Sequence, residues 1–194
     1  MVFSVTLLDG AHATGDDVAR LAPPLLDVLE ARGATVHHYA LRGERLAFCQ
    51  GCFECWTTTP GVCKTRDVGR HLAADVARSD LLVVLTPVAF GGLGSTVKQA
   101  IDRLLGNLSP YFERIQSETH HQKRYAHYPS LWTIGVLPSP DREEELLFQE
   151  VTRRIGLNFH APATLATLLP PSATAAEVKA RFVAARDQFF PEAA

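Results

Sequence analysis

A chain of 194 residues is long enough for one domain with a sizeable core, and 46% hydrophobic with 21% charged residues is an ordinary globular composition. A formal net charge of −2 gives no electrostatic footprint for a nucleic-acid partner, and no apolar run approaches the roughly 20 residues that span a bilayer. The start, Met1 to Asp9, has no basic n-region and meets an acid early, so it reads as a strand rather than a signal peptide, and a cytoplasmic location is expected.

Val2 to Leu8 is a short apolar run ending in Asp9-Gly10, the pattern of a buried first strand. Leu25, Leu26, Val28 and Leu29 make a helical stripe that Gly33 stops. Pro23 and Pro24 require that this helix either kinks or starts near Pro23 after a longer loop. Thr35 to Leu41 reads as the second strand, an irregular cysteine-containing loop of about residues 47–66 follows, and Asp67 to Arg78 reads as a helix. Asp80 to Thr86 is nearly all apolar and branched, as a strand covered on both faces should be. Ser95 suits the N-cap of a helix with the stripe Val97, Ile101, Leu104, Leu105 and Leu108. Ser109 to Pro129 reads as a long polar and aromatic loop, a lid or a contact between copies. Leu131 to Leu137 is a fourth strand, Glu143 to Ile155 a helix closed by Gly156, Ala163 to Leu169 a fifth strand, and Ala175 to Phe190 a last helix with Val178, Phe182 and Phe189 on one face.

Alternation of strand and helix without repeats or linkers implies one α/β domain over residues 1–194, a parallel sheet with helices on both faces. Five strands suit a three-layer sandwich in the order 2-1-3-4-5. Ligands of such sheets bind beyond the strand carboxyl ends, where strands one and three diverge. Here Gly10 to Thr14 faces Thr86 to Gly92 at that point.

All four cysteines fall in one fifteen-residue window, Cys49, Cys52, Cys55 and Cys63, spaced C-x2-C-x2-C-x7-C. Two-residue gaps let successive sulfurs turn toward one centre, as an iron–sulfur cluster or a zinc ion requires, and free thiols are the third reading. In a reducing compartment structural disulfides are not expected. The first turn, Gly10-Ala11-His12-Ala13-Thr14, can offer backbone N–H groups to a phosphate, with a hydroxyl from Thr14. Asp16 and Asp17 put negative charge at the same place and suit helix capping instead. In the second turn, Thr86-Pro87-Val88-Ala89-Phe90-Gly91-Gly92, the glycines allow close approach of a flat ligand, and Phe90 either stacks on a ring or packs in the core. Neither G-x-G-x-x-G nor G-x-x-x-x-G-K-[ST] is present, which disfavours an NTPase or a fingerprint dehydrogenase. Lys98 and Asp102, four apart, most simply pair on a helix surface. His37-His38, His120-His121, His127 and His160 are scattered and read as polar surface.

Cys49-Gln50-Gly51-Cys52-Phe53-Glu54-Cys55-Trp56, then Thr59-Pro60-Gly61-Val62-Cys63 and Asp67, resembles the cysteine loop of the iron–sulfur flavoproteins, a branch of the flavodoxin-like NAD(P)H-dependent FMN reductases. Thr86 to Gly92, Lys98 and Ile101-Asp102-Arg103 resemble the same family's flavin loop and following helix, and Thr119-His120-His121 through Tyr128-Pro129 is similar to flavodoxin-like relatives. The first turn departs from the family's Ser-, Thr- and Arg-rich form, and Ala89 stands where an aromatic is common.

The resemblance implies a flavodoxin-like fold with FMN as cofactor and NAD(P)H as co-substrate. Pro87 to Gly91 would line the isoalloxazine, Gly10 to Thr14 would hold the phosphate, and the four cysteines would ligate a [4Fe–4S] cluster. The expected function is a flavin-dependent oxidoreductase that passes electrons to a small-molecule or protein acceptor or to the cluster. A flavin-free binding protein using its cysteines for metal or partner recognition and a thiol-redox protein are the alternatives. By analogy with other switch-point sites for flat ligands, a homo-oligomer is expected.

Overall fold

The structure, a computed structural model, describes residues 2–13 and 16–190. Its strands and helices are β1 (Ser4–Asp9), α1 (Ala22–Glu30), β2 (Thr35–Ala40), α2 (Glu54–Thr57), α3 (Val68–Arg78), β3 (Leu81–Ala89), β4 (Gly92–Leu93), α4 (Ser95–Asp102), β5 (Leu108–Ile115), β6 (Glu118–Lys123), β7 (Ser130–Val136), α5 (Arg142–Asn158), β8 (Thr164–Leu169) and α6 (Ala175–Arg186). Five parallel strands run in the order β2-β1-β3-β7-β8, the expected 2-1-3-4-5 arrangement of the flavodoxin-like sheet, and β4 adds an antiparallel edge to β3.

The period of two along β3 sorts the core into two faces. Leu81, Val83 and Leu85 point to the side covered by Leu25, Val28 and Leu29 of α1 and by Val178 and Phe182 of α6. Leu82 and Val84 point to the side covered by Leu72 and Val76 of α3 and by Val97 and Ile101 of α4. Every one of these side chains is buried, which is why β3 reads as an unbroken apolar run. Polar groups left between the layers pair with each other: the Thr6 and Ser79 hydroxyls are 2.7 Å apart, and those of Thr133 and Thr152 are 2.6 Å apart.

The first helix starts late. A single 3-10 turn, Ala19–Leu21, leads into α1, and Pro23 and Pro24 occupy its first turn, where a missing N–H removes no hydrogen bond. The cysteine loop carries the short helix α2. Helix α4 takes Gly94 rather than Ser95 as its N-cap and gives way to a 3-10 turn at Arg103–Asn107. Gly156 lies inside α5 instead of closing it. A Cβ there would stand 2.2 Å from the Thr164 hydroxyl, so the glycine lets α5 press against β8.

The larger departure is at residues 109–129. What reads as a loop is an antiparallel hairpin, β5 with β6, forming a second sheet. Its two-residue connection, Gln116-Ser117, has φ of 49° and 68°, the left-handed geometry that tight hairpins need but that carries no Asn-Gly signature here. His37, His38 and His127 are exposed, as a surface reading expects, but His120, His121 and His160 depart from it. His121 packs its ring against Trp56 and Phe112 and pairs through Nδ1 with the Ser109 carbonyl at 2.9 Å, while His120 and the His160 side chain are buried. They fasten the hairpin to α2 and to the end of α5. No helix among the described residues is long and apolar enough to cross a membrane.

Candidate functional site

β1 and β3 are neighbours, with Asp9 opposite Leu85, so the segments that follow them stand side by side at the carboxyl edge of the sheet. Gly10 continues the pairing by donating its N–H to the Leu85 carbonyl at 2.8 Å. A Cβ at this position would fall 2.2 Å from Cγ2 of Val97, so only glycine lets the first turn pass beneath α4.

Carboxylates take up the N–H groups of that turn. Asp9 is 1% exposed, accepts the Ala11 N–H at 3.0 Å and pairs with Arg42 at 2.9 Å and His38 at 3.4 Å. Burial raises its pKa, but His38, the Ala11 N–H and Arg42 outweigh burial and hold the carboxyl below the usual Asp range. Asp16 reaches in both directions along the chain. Its Oδ2 accepts from the N–H groups of His12 at 2.8 Å and Ala13 at 3.1 Å. Its Oδ1 accepts from those of Val18 at 3.0 Å and Ala19 at 2.6 Å. Burial works against its charge, yet these four donors hold it below the ordinary value as well.

On the other wall β3 runs past Thr86, its expected end, and takes in Pro87, Val88 and Ala89, expected as loop. Ala89 and Val88 pair with Gly92 and Leu93 of β4, so the turn proper is only Phe90-Gly91, with φ of 50° and 70°. The Thr86 hydroxyl accepts the Gly94 N–H at 2.9 Å and ties the hairpin to the start of α4. Val88 packs inward with Leu137 and Phe148. Phe90 is 95% exposed at the tip, so its ring is not part of the core.

The cysteine loop is anchored beside these elements by one buried ion pair. Arg103 donates from Nη1 and Nη2 to Oδ2 and Oδ1 of Asp67 at 2.7 and 2.8 Å, and from Nη1 to the Ala47 carbonyl at 2.8 Å. Asp67 also caps α3 by accepting the Gly69 N–H and takes the Ala47 N–H. Trp56 donates its indole N–H to the Leu105 and Leu108 carbonyls. Burial pushes the Cys55 thiol up, and its neighbours Cys63, Cys49 and Cys52 add to the effect. Cys63 opens onto a cavity of about 520 Å³ with Arg70 and His127, whereas Cys49 lines a different one with Ile101 and Asn158.

Residues 5–123, more than half of the chain, match the family model described as NADPH-dependent FMN reductase. The chain belongs to that family. Solved structures agree on the fold. An FMN-dependent NADH-azoreductase of Bacillus anthracis str. Ames Ancestor, in complex with FMN, superposes with a TM-score of 0.67 at 10% identity over 97% of this chain and 99% of that one. An NAD(P)H:quinone oxidoreductase of Methanothermobacter marburgensis gives 0.64 at 12% identity over 97% and 95%. A putative quinone reductase of Klebsiella pneumoniae gives 0.68 at 10% identity over 97% and 85%. No curated protein sequence matches the chain.

For a member of the FMN reductase family the site is assembled only in part. The structure brings Gly10 to Ala13 and Thr86 to Gly91 to the same edge of the sheet; Thr14 lies outside the described residues. On the hairpin wall Ala89 and Phe90 face solvent. Among the described residues of the first turn, the N–H groups of Ala11, His12 and Ala13 do not fit a phosphate in this conformation, because they are already bonded to Asp9 and Asp16. The expected ligand set Cys49, Cys52, Cys55 and Cys63 does not fit a [4Fe–4S] cluster either. Among the described residues no three His, Cys, Asp or Glu side chains converge as metal ligands do. The reason lies in the loop: Gly51 and Phe53, both at positive φ, turn the chain, and Cys55 then rides on α2 with Cys49 and Cys52 exposed. The clamp of Asp67 on Arg103 was not foreseen; its one signal was an acid directly before a helix, which marks a cap.

Proposed function

We propose that the crevice between the first turn and the β3–β4 hairpin binds the isoalloxazine ring of a flavin, and that the protein catalyses NAD(P)H-dependent reduction of a small acceptor. Membership of the FMN reductase family is the observation that carries this reading. Flavin bound there would supply the two-electron acceptor for a nicotinamide hydride. Pro87 to Ala89 hold a rigid backbone edge against the ring because they belong to the sheet, and Phe90 offers an exposed aromatic face at its rim. Gly10 lies close against Val97 of α4, which leaves no room for a side chain there. Quinones and azo compounds are the acceptor classes to try first, because structural neighbours carry those activities in their names. Electrons leave to that acceptor directly, and no step runs through the cysteines.

A homodimer is also proposed. Tyr111 and Phe112 of the hairpin, 69% and 61% exposed, supply an aromatic surface that a second copy would cover. Sedimentation of the purified protein tests this, and a monomer at micromolar concentration contradicts it.

The activity is tested by mixing protein, riboflavin or FMN, and NADH or NADPH without oxygen, then following the flavin band. Protein-dependent bleaching, followed by recovery on adding a quinone, is expected. No acceleration over free flavin contradicts the reading.

A further inference from the structure

The first turn holds an anion already, and the anion is part of the chain. Asp16 presents two oxygens, and each accepts two backbone N–H groups, one pair before it in sequence and one pair after it. This is the bonding that a phosphate seeks at the start of a helix. The neighbouring charges do not offset it. Arg42 is bonded to Asp9, and Arg20 pairs with Asp17 while donating to the Pro171 and Ala173 carbonyls. A phosphate dianion entering the turn would have to displace the carboxylate and then remain beside it.

We propose that Asp16 substitutes for the ligand's phosphate, so that the crevice binds the flavin ring without gaining affinity from a 5′-phosphate. The inference rests on the flavin reading above and deepens it: Asp16 sets which flavin is taken, and riboflavin is held at least as well as FMN. Asp16→Asn relieves the exclusion in a defined way. An amide keeps one accepting oxygen, but its NH₂ cannot accept, so one pair of N–H groups is released and the negative charge is removed.

Fluorescence titration of riboflavin and of FMN into the wild type and D16N tests the proposal. In the wild type the two dissociation constants should agree within about threefold, or favour riboflavin, whereas a dianion held by free N–H groups gains much more. In D16N, FMN should tighten by about tenfold while riboflavin changes less than about threefold. FMN binding about tenfold or more tighter than riboflavin to the wild type overturns the proposal and leaves the flavin site standing. A folded D16N with an unchanged ratio of the two constants also overturns it. Should D16N fail to fold, the wild-type ratio decides alone. Quenching of neither flavin by either protein overturns the flavin reading itself and the proposal with it.

Discussion

Arg103 and Asp67 show how much one buried pair can organise. The guanidinium is 3% exposed and bridges the turn after α4, the start of α3 and the backbone at Ala47, so it fixes both ends of the cysteine loop. Removing one partner leaves the other charge buried. Arg103→Leu should therefore cost about 3–5 kcal/mol in urea unfolding and speed the reaction of Cys55 and Cys63 with a thiol reagent. The pH dependence has a definite sign. Burial alone would raise Asp67, but Arg103 and the Ala47 and Gly69 N–H groups lower it below its usual value. Its contribution is complete above the ordinary Asp pKa of about 4 and is lost as pH falls through the lower folded value. The stability gap between wild type and Asp67→Asn should thus be constant near neutrality and shrink on acidification; a gap that widens would exclude the assignment. Phe90 is the opposite case. With its ring almost wholly in solvent, Phe90→Ala should change stability by less than about 0.5 kcal/mol. The same variant should weaken riboflavin binding in a fluorescence titration, and unchanged affinity would remove the ring from the site.

At the level of elements, what was legible in the sequence was whatever a periodic apolar pattern dictates. Strands β1, β3 and β7 are covered on both faces and read as apolar runs, and α3, α4 and α6 present one apolar stripe each. The β5–β6 hairpin was not legible, because its alternation is of polar with aromatic residues and its turn is Gln116-Ser117 rather than a glycine pair. The end of β3 was misread for a related reason. Thr86-Pro87 looks like a strand terminus, yet the β1 pairing ends at Leu85 and the β4 pairing starts at Val88, so Pro87 has a neighbour only in β7 and its missing N–H costs no bond on the other side. The turn supplies a test. Both Gln116 and Ser117 are held at positive φ, so the double substitution Gln116→Asn, Ser117→Gly should stabilise the protein by about 1–2 kcal/mol and raise the midpoint of thermal unfolding. A lower midpoint would mean that the hairpin does not turn there.

Across the whole molecule, strand order explains where chemistry can occur. In the order β2-β1-β3-β7-β8, crossovers leave β1 and β3 in opposite directions and open a crevice at their carboxyl ends. The sequence pointed to that edge through Gly10 and to Asp16 as a capping acid, which its bonds to the Val18 and Ala19 N–H groups match, but not to the bonds that Asp16 makes back to His12 and Ala13; Gly91, read as a ligand contact, is instead buried against Leu147 of α5. The cysteine spacing pointed to a shared centre that the folded loop does not build. The central claim is that a flavin ring lies in this crevice, and a crystal structure of the protein grown with riboflavin tests it most directly. The account predicts isoalloxazine density against Pro87 to Phe90, with Asp16 still bonded to the N–H groups of His12 and Ala13. A crevice closed by its own side chains, with riboflavin absent or bound elsewhere, would contradict it.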